Sequence, residues 1–138
     1  MFIPLIIFIA GATFGAPAAA SAPETVAVEA QSAEKPESLG EYVKEYFSDE
    51  PILAEIAQCE SHMRQTDESG NILRGDVDSD DIGVMQINTR YHLEDSKELG
   101  LDIYSLDGNL AYAKYLYEKQ GTKPWKASQP CWGKVASR

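Results

Sequence analysis

Residues 81–92 read Asp81-Ile82-Gly83-Val84-Met85-Gln86-Ile87-Asn88-Thr89-Arg90-Tyr91-His92, and the reading of this stretch decides the fold. Its first seven residues alternate poorly between apolar and polar, which suits a buried strand or a strand-to-helix passage. Before it, residues 65–81 are polar and rich in Gly, Asp, Asn and Ser. Within them Asn71-Ile72-Leu73-Arg74 predicts a short strand, with turns at Gly75 and over residues 78–80. On either side the apolar spacing is helical. Val43 with Phe47, and Tyr42 with Tyr46, predict a helix over residues 40–47. Ser48 is expected to N-cap the next helix, over residues 49–62, with Asp49, Glu50 and Pro51 in its first turn. Ile52, Leu53, Ile56 and Ala57 form its core face. A weaker helix over residues 89–99 stops at Gly100. The last, over residues 105–120, carries Leu106, Leu110, Ala113 and Tyr117 and ends at Gly121 and Pro124. There is no internal repeat. The expected fold class is α+β, mainly α, with a small β-hairpin or sheet between helices.

The whole chain bounds this reading. Its 138 residues suit one domain, and 43 % hydrophobic with 25 % charged side chains is an ordinary soluble composition. A formal net charge of −10 leaves no basic stripe to neutralise phosphates, which excludes a nucleic-acid partner. Residues 1–22 contain no charged side chain and end in Ala20-Ser21-Ala22. They read as an export segment, either a cleaved signal peptide or a membrane anchor, although the basic n-region is missing. Residues 23–38, of Ala, Glu, Ser and Pro without an aromatic, read as a flexible linker. The folded domain is then residues 39–138. Export places the two cysteines, Cys59 and Cys131, in an oxidising compartment. A disulfide is expected there, against the alternative of two buried thiols.

Glu60 follows Ile56 by four residues and Leu53 by seven, so it shares their apolar face. A carboxyl among apolar neighbours, close to a helix C-terminus, resists ionisation, the property a general acid needs near neutral pH. The plainer alternative is a solvated Glu at a fraying helix end. Asp76, Asp78 and Asp80 match the start of an EF-hand loop. However, Asp81 stands where that loop needs Gly, and Ile87 where it needs Glu. No metal and no cofactor is therefore expected. Asp81 differs from the other three because it abuts the apolar run and borders a cleft.

Ala54 to Ser61, AEIAQCES, and the segment from Asp81 to His92 together carry a resemblance. The pair resembles the lysozyme-like superfamily, in particular small soluble-type bacterial lytic transglycosylases. Asn109-Leu110-Ala111-Tyr112-Ala113 is similar to the helix that follows their active site, and the likeness spans residues 51–132. It implies a lysozyme-like fold and an exported enzyme, a monomer located in the periplasm, cell envelope or outside the cell. Its partner would be the glycan strands of peptidoglycan. Glu60 would protonate the β-1,4 bond between MurNAc and GlcNAc and then act as base, giving 1,6-anhydromuramoyl products. Asp81 falls where lysozymes place a second carboxylate, so a two-carboxylate hydrolase stands beside the transglycosylase. Ser61, Met85, Gln86, Asn88 and Tyr112 are the implied glycan-binding residues, with Ser61 supporting Glu60. Met85 as core and Tyr112 as packing remain the alternatives. The chain departs from larger transglycosylases where they carry Ala-Tyr-Asn-Ala-Gly. Here Lys123-Pro124-Trp125-Lys126-Ala127-Ser128-Gln129-Pro130-Cys131-Trp132 stands instead. Trp125 and Trp132 could stack on sugars or pack in the core. A non-catalytic glycan binder on the same fold would have no need of both Glu60 and Asp81.

Overall fold

The computed structural model describes residues 38–134. The expected export segment, and all of the expected linker but Ser38, lie outside the described residues. The described part is mainly helical with one small antiparallel sheet. In order it comprises α1 (Leu39–Tyr46), α2 (Pro51–Ser61), β1 (Asp81–Ile82), β2 (Ile87–Asn88), α3 (Thr89–Glu98) and α4 (Leu106–Gln120). A 3-10 helix over Lys123–Ser128 and the short α5 (Gln129–Trp132) complete it. Among the described residues no helix is long and apolar enough to cross a membrane.

Ser38, expected to close the linker, instead opens the fold. Its hydroxyl accepts from the Glu41 N–H at 3.2 Å and the Glu41 carboxylate accepts from the Ser38 N–H at 3.0 Å, a reciprocal capping box. Ser48 does not cap α2. Its N–H closes a turn onto the Glu45 carbonyl, and the N-cap position falls on Glu50, which makes no side-chain cap. Pro51 at the first helical position explains the difference: it has no N–H to satisfy and its φ is already helical.

α2 buries Leu53, Ala54, Ile56 and Ala57 and ends abruptly. His62 and Met63 both take left-handed conformations, at φ 54° and 60°, a costly pair for side chains other than glycine. The expected strand at residues 71–74 is reduced to isolated pairings, Thr66 with Ile72 and Arg74 with Ile82. The Asp67 carboxylate accepts from the N–H groups of Ser69 and Asn71, and this Asx turn competes with a ladder.

The segment expected as a buried strand or a strand-to-helix passage is a hairpin whose second strand runs directly into α3. Asp81 pairs with Asn88 and Ile82 with Ile87, and the chain reverses over Gly83 to Gln86. The reversal depends on left-handed Gly83, at φ 70°, where a Cβ would lie 2.7 Å from both Asn109 Nδ2 and Gln65 Oε1. This turn is buried, so its backbone groups need partners inside the protein. Asn109, fully buried on α4, donates to the carbonyls of Ile82 (3.1 Å) and Ile103 (2.9 Å) and accepts from the Met85 N–H (2.9 Å). Gln65 accepts from the Val84 N–H, Ser61 donates to the Val84 carbonyl, and Trp125 donates to the Met85 carbonyl. Four side chains from separate segments thus hold the hairpin against α2 and α4. Around it Val43, Phe47, Leu53, Ile56, Ile103, Leu110 and Leu116 form the core.

Cys59 on α2 and Cys131 on α5 are joined by a disulfide, with Cα atoms 6.0 Å apart across 72 positions of sequence. In the chain-entropy model such a loop closure stabilises by about 4 kcal/mol. It also ties the end of α2 to the C-terminal segment.

Candidate active site

A cleft of about 280 Å³ lies between the end of α2, the hairpin, α3 and the 3-10 segment, and Glu60 and Asp81 both line it. Glu60 arrives there because the apolar spacing of α2 turns the last helical turn inward, while the disulfide at Cys59 and the sharp exit at His62 stop it from fraying. The Ser128 hydroxyl donates to Glu60 Oε1 at 2.5 Å. Partial burial raises the proton affinity of Glu60 above the usual carboxyl range. The Ser128 hydrogen bond opposes that rise and the nearby Asp81 charge adds to it.

Asp81 is held by the strand opposite. Asn88, its pairing partner, donates from Nδ2 to Asp81 Oδ1 at 2.8 Å and to Asp78 Oδ2 at 3.1 Å, while its Oδ1 caps α3 through the Arg90 N–H. Burial raises the Asp81 pKa, the Asn88 hydrogen bond lowers it, and the charges of Asp78 and Asp80 raise it again. The site therefore joins two carboxyls that both resist ionisation, one of them next to a hydroxyl. Such a pair can hold a proton, deliver it to a bound oxygen and take one back.

Two other acids of the loop are engaged locally. Asp80 pairs with Arg90, and Asp78 Oδ1 accepts from the Asp80 N–H. Among the described residues no three His, Cys, Asp or Glu side chains converge on one point.

Of the expected glycan-binding residues, the structure brings Gln86 and Asn88 to the cleft with Glu60 and Asp81. Gln86 stands there in a left-handed conformation, φ 48°, with its Nε2 donating to the Gly83 carbonyl. Backbone strain at a cleft residue is a common mark of function. Three others do not line the cleft. Ser61 is 1 % exposed, and its hydroxyl bridges the carbonyls of Val84 and Ala57 and accepts from the Arg64 N–H. It fixes the end of α2 to the hairpin and is closed off from the surface. Met85 is fully buried and so belongs to the core. Tyr112 is fully buried as well, and its hydroxyl lies 3.2 Å from Nδ1 of His92, which does line the cleft. Trp132 is packed in the core, whereas Trp125, also buried, lines the cleft; each has its indole N–H satisfied inside the protein.

Two features of the site escape a reading of the sequence. His92 lines the cleft from the first turn of α3, and burial lowers its pKa, which favours the neutral ring. The Tyr112 hydroxyl, whose own pKa burial pushes up to about 12, needs an acceptor, and among the described residues His92 Nδ1 is the one within reach. If the hydroxyl donates, the neutral ring carries its proton on Nε2. Ser128 is the second feature. Its signal was the cysteine spacing: Cys59 adjoins Glu60, and Ser128 lies one helical turn before Cys131.

Comparison with models of known protein families, with characterised proteins and with solved structures finds no match to this chain.

Proposed function

We propose that this chain is an exported, lysozyme-like enzyme that cuts the β-1,4 bond between MurNAc and GlcNAc in peptidoglycan, and that it acts as a lytic transglycosylase. The observation that carries the reading is Glu60: a carboxyl with raised proton affinity, held by Ser128 at the wall of a cleft that it shares with Asp81. Protonated Glu60 gives its proton to the glycosidic oxygen as the bond from C1 breaks, and GlcNAc leaves with a free 4-hydroxyl. The carboxylate left behind takes the proton from the muramoyl 6-hydroxyl. That oxygen then closes on C1, giving the 1,6-anhydro ring and restoring protonated Glu60. No water is consumed. Gln86, Asn88 and His92 supply polar groups at the cleft wall for the sugars. The Cys59–Cys131 disulfide supports an oxidising, extracytoplasmic location. The uncharged segment of residues 1–22 supports export, whether cleaved or kept as a tether.

Asp81 favours a second reading, a two-carboxylate muramidase. It lines the same cleft, and its charge acts on Glu60. As an anion it would stabilise or trap the oxocarbenium ion while water becomes the acceptor. Mass spectrometry of muropeptides released from purified peptidoglycan separates the two. Anhydro ends are expected; reducing ends select the hydrolase, and no release at all refutes both.

A further inference from the structure

Ser128 is half-buried, and its hydroxyl both accepts and donates, the Trp132 indole N–H being shared between Ser128 Oγ and the Trp125 carbonyl at 3.1 Å. Trp132 Nε1 donates to Ser128 Oγ at 3.0 Å, which occupies one of its lone pairs. The single hydroxyl proton has two acceptors within reach, Glu60 Oε1 at 2.5 Å and the Trp125 carbonyl at 3.1 Å. An ionised carboxylate is the stronger acceptor, so Glu60 takes it. Both ends of this contact are anchored. The indole of Trp132 is buried, and the disulfide joins Cys59, beside Glu60, to Cys131, one turn after Ser128. Among the described residues Glu60 Oε2 has no hydrogen-bond partner, and Glu60 itself lines the cleft.

We propose that Ser128 is a positioning residue that reserves Glu60 Oε1 and thereby assigns the transferable proton to Oε2. A proton on Oε2 leaves Oε1 a carbonyl-type acceptor, so the Ser128 hydrogen bond persists unchanged in both protonation states. A proton on Oε1 would face the Ser128 hydroxyl and force its hydrogen to swing to the Trp125 carbonyl. One arrangement therefore serves the acid step and the base step without reorganisation, the condition for electrostatic preorganisation. The inference rests on Glu60 being the acid of the proposed function.

The test is release of soluble muropeptides from purified peptidoglycan by the full chain, followed from acid to alkaline pH, with Ser128→Ala and Ser128→Thr. Ser128→Ala is expected to lower kcat about tenfold with apparent KM changed less than about twofold. The loss of a donor to the ionised form moves the alkaline limb to higher pH. Ser128→Thr, which keeps the hydroxyl, restores rate and limb. A purely structural role would not move the limb. Wild-type rate and limb in Ser128→Ala overturn the inference, as does failure of Ser128→Thr to rescue while it melts cooperatively with its disulfide formed. Should Ser128→Ala fail to fold, Ser128→Cys, close in volume with a much weaker donor, carries the same comparison. Glu60→Gln separates the two levels. If Glu60→Gln is active, the reading beneath falls; if it is inert and Ser128→Ala is unaffected, this inference alone falls.

Discussion

Replacing Asn109 by Ala would remove three hydrogen bonds at one stroke, and the structure sets the size of the loss. The side chain is fully buried, and it satisfies the carbonyls of Ile82 and Ile103 and the N–H of Met85, all at 2.9–3.1 Å. A typical internal hydrogen bond contributes about 1 kcal/mol net, but a buried group left unpaired costs about 1–3 kcal/mol. Three lost hydrogen bonds, with the Ile82 carbonyl still beside its strand partner Ile87, place the expected destabilisation at about 3–5 kcal/mol. Equilibrium urea unfolding of the oxidised protein measures it as a lowered midpoint with an unchanged slope. Asn109→Asp sharpens the test. Its oxygen still accepts from Met85, but an ionised carboxylate faces two carbonyls it cannot donate to. This variant should be at least as unstable as Asn109→Ala at neutral pH and should recover as pH falls, because protonation restores a donor. A loss below about 1 kcal/mol for Asn109→Ala would refute the assignment of Asn109 as the anchor of the hairpin.

Glu60→Gln is expected to abolish muropeptide release and to stabilise the fold at neutral pH. The folded pKa of Glu60 is raised, so the native state binds more protons than the unfolded chain, and its contribution to stability falls as pH rises from the ordinary Glu value through the raised one. Melting curves of wild type and variant should accordingly converge in acid. His92 shows the opposite slope: its folded pKa is lowered, so stability is lost as pH falls from the ordinary His value through the depressed one, and His92→Gln should flatten that limb of a Tm-against-pH plot. His62→Gly should raise stability by up to about 1 kcal/mol in urea unfolding, since glycine accepts the left-handed exit of α2 without a Cβ penalty. Cys59→Ala with Cys131→Ala should destabilise by about 4 kcal/mol in the chain-entropy model, read as a urea midpoint shift.

The helices were legible because their information is local. A stripe of Leu53, Ile56 and Ala57, or Gly121 after Gln120, marks an element whatever surrounds it. Expected and observed bounds of α1, α3 and α4 differ by a residue or so. Where the reading slipped, the deciding partner was distant in sequence. Residues 81–87 read as a buried strand or as a strand-to-helix passage, because a buried turn has the same apolar composition as a strand; β2 does pass directly into α3, but a turn precedes it. What makes a turn of them is Asn109, Gln65 and Trp125, each supplying a partner for backbone groups that a strand would have paired in a ladder. Met85 was ambiguous for the same reason. Periodicity shows that a side chain is apolar, not whether it faces a cleft or the core.

The same distinction runs through the site. Glu60 could be singled out by helical spacing, yet spacing alone gives only a carboxyl on an apolar face. Its working environment comes from residue 128, far along the chain, and from residue 81 on the far side of an acidic loop. The disulfide links these scales. Cys59 and Cys131 are adjacent in sequence, or within one helical turn, to Glu60 and Ser128 respectively. A covalent cross-link between the cysteines therefore constrains the carboxyl–hydroxyl pair more tightly than it constrains the domain as a whole. On this argument reduction should loosen the Glu60 environment before it unfolds the protein. In the reduced but folded chain, the alkaline limb of activity should move in the same direction as in Ser128→Ala, because both changes remove the donor that favours ionised Glu60. A limb that stays fixed on reduction, with the fold retained, would show that Trp132 and the packing of α5 suffice to hold Ser128 in place.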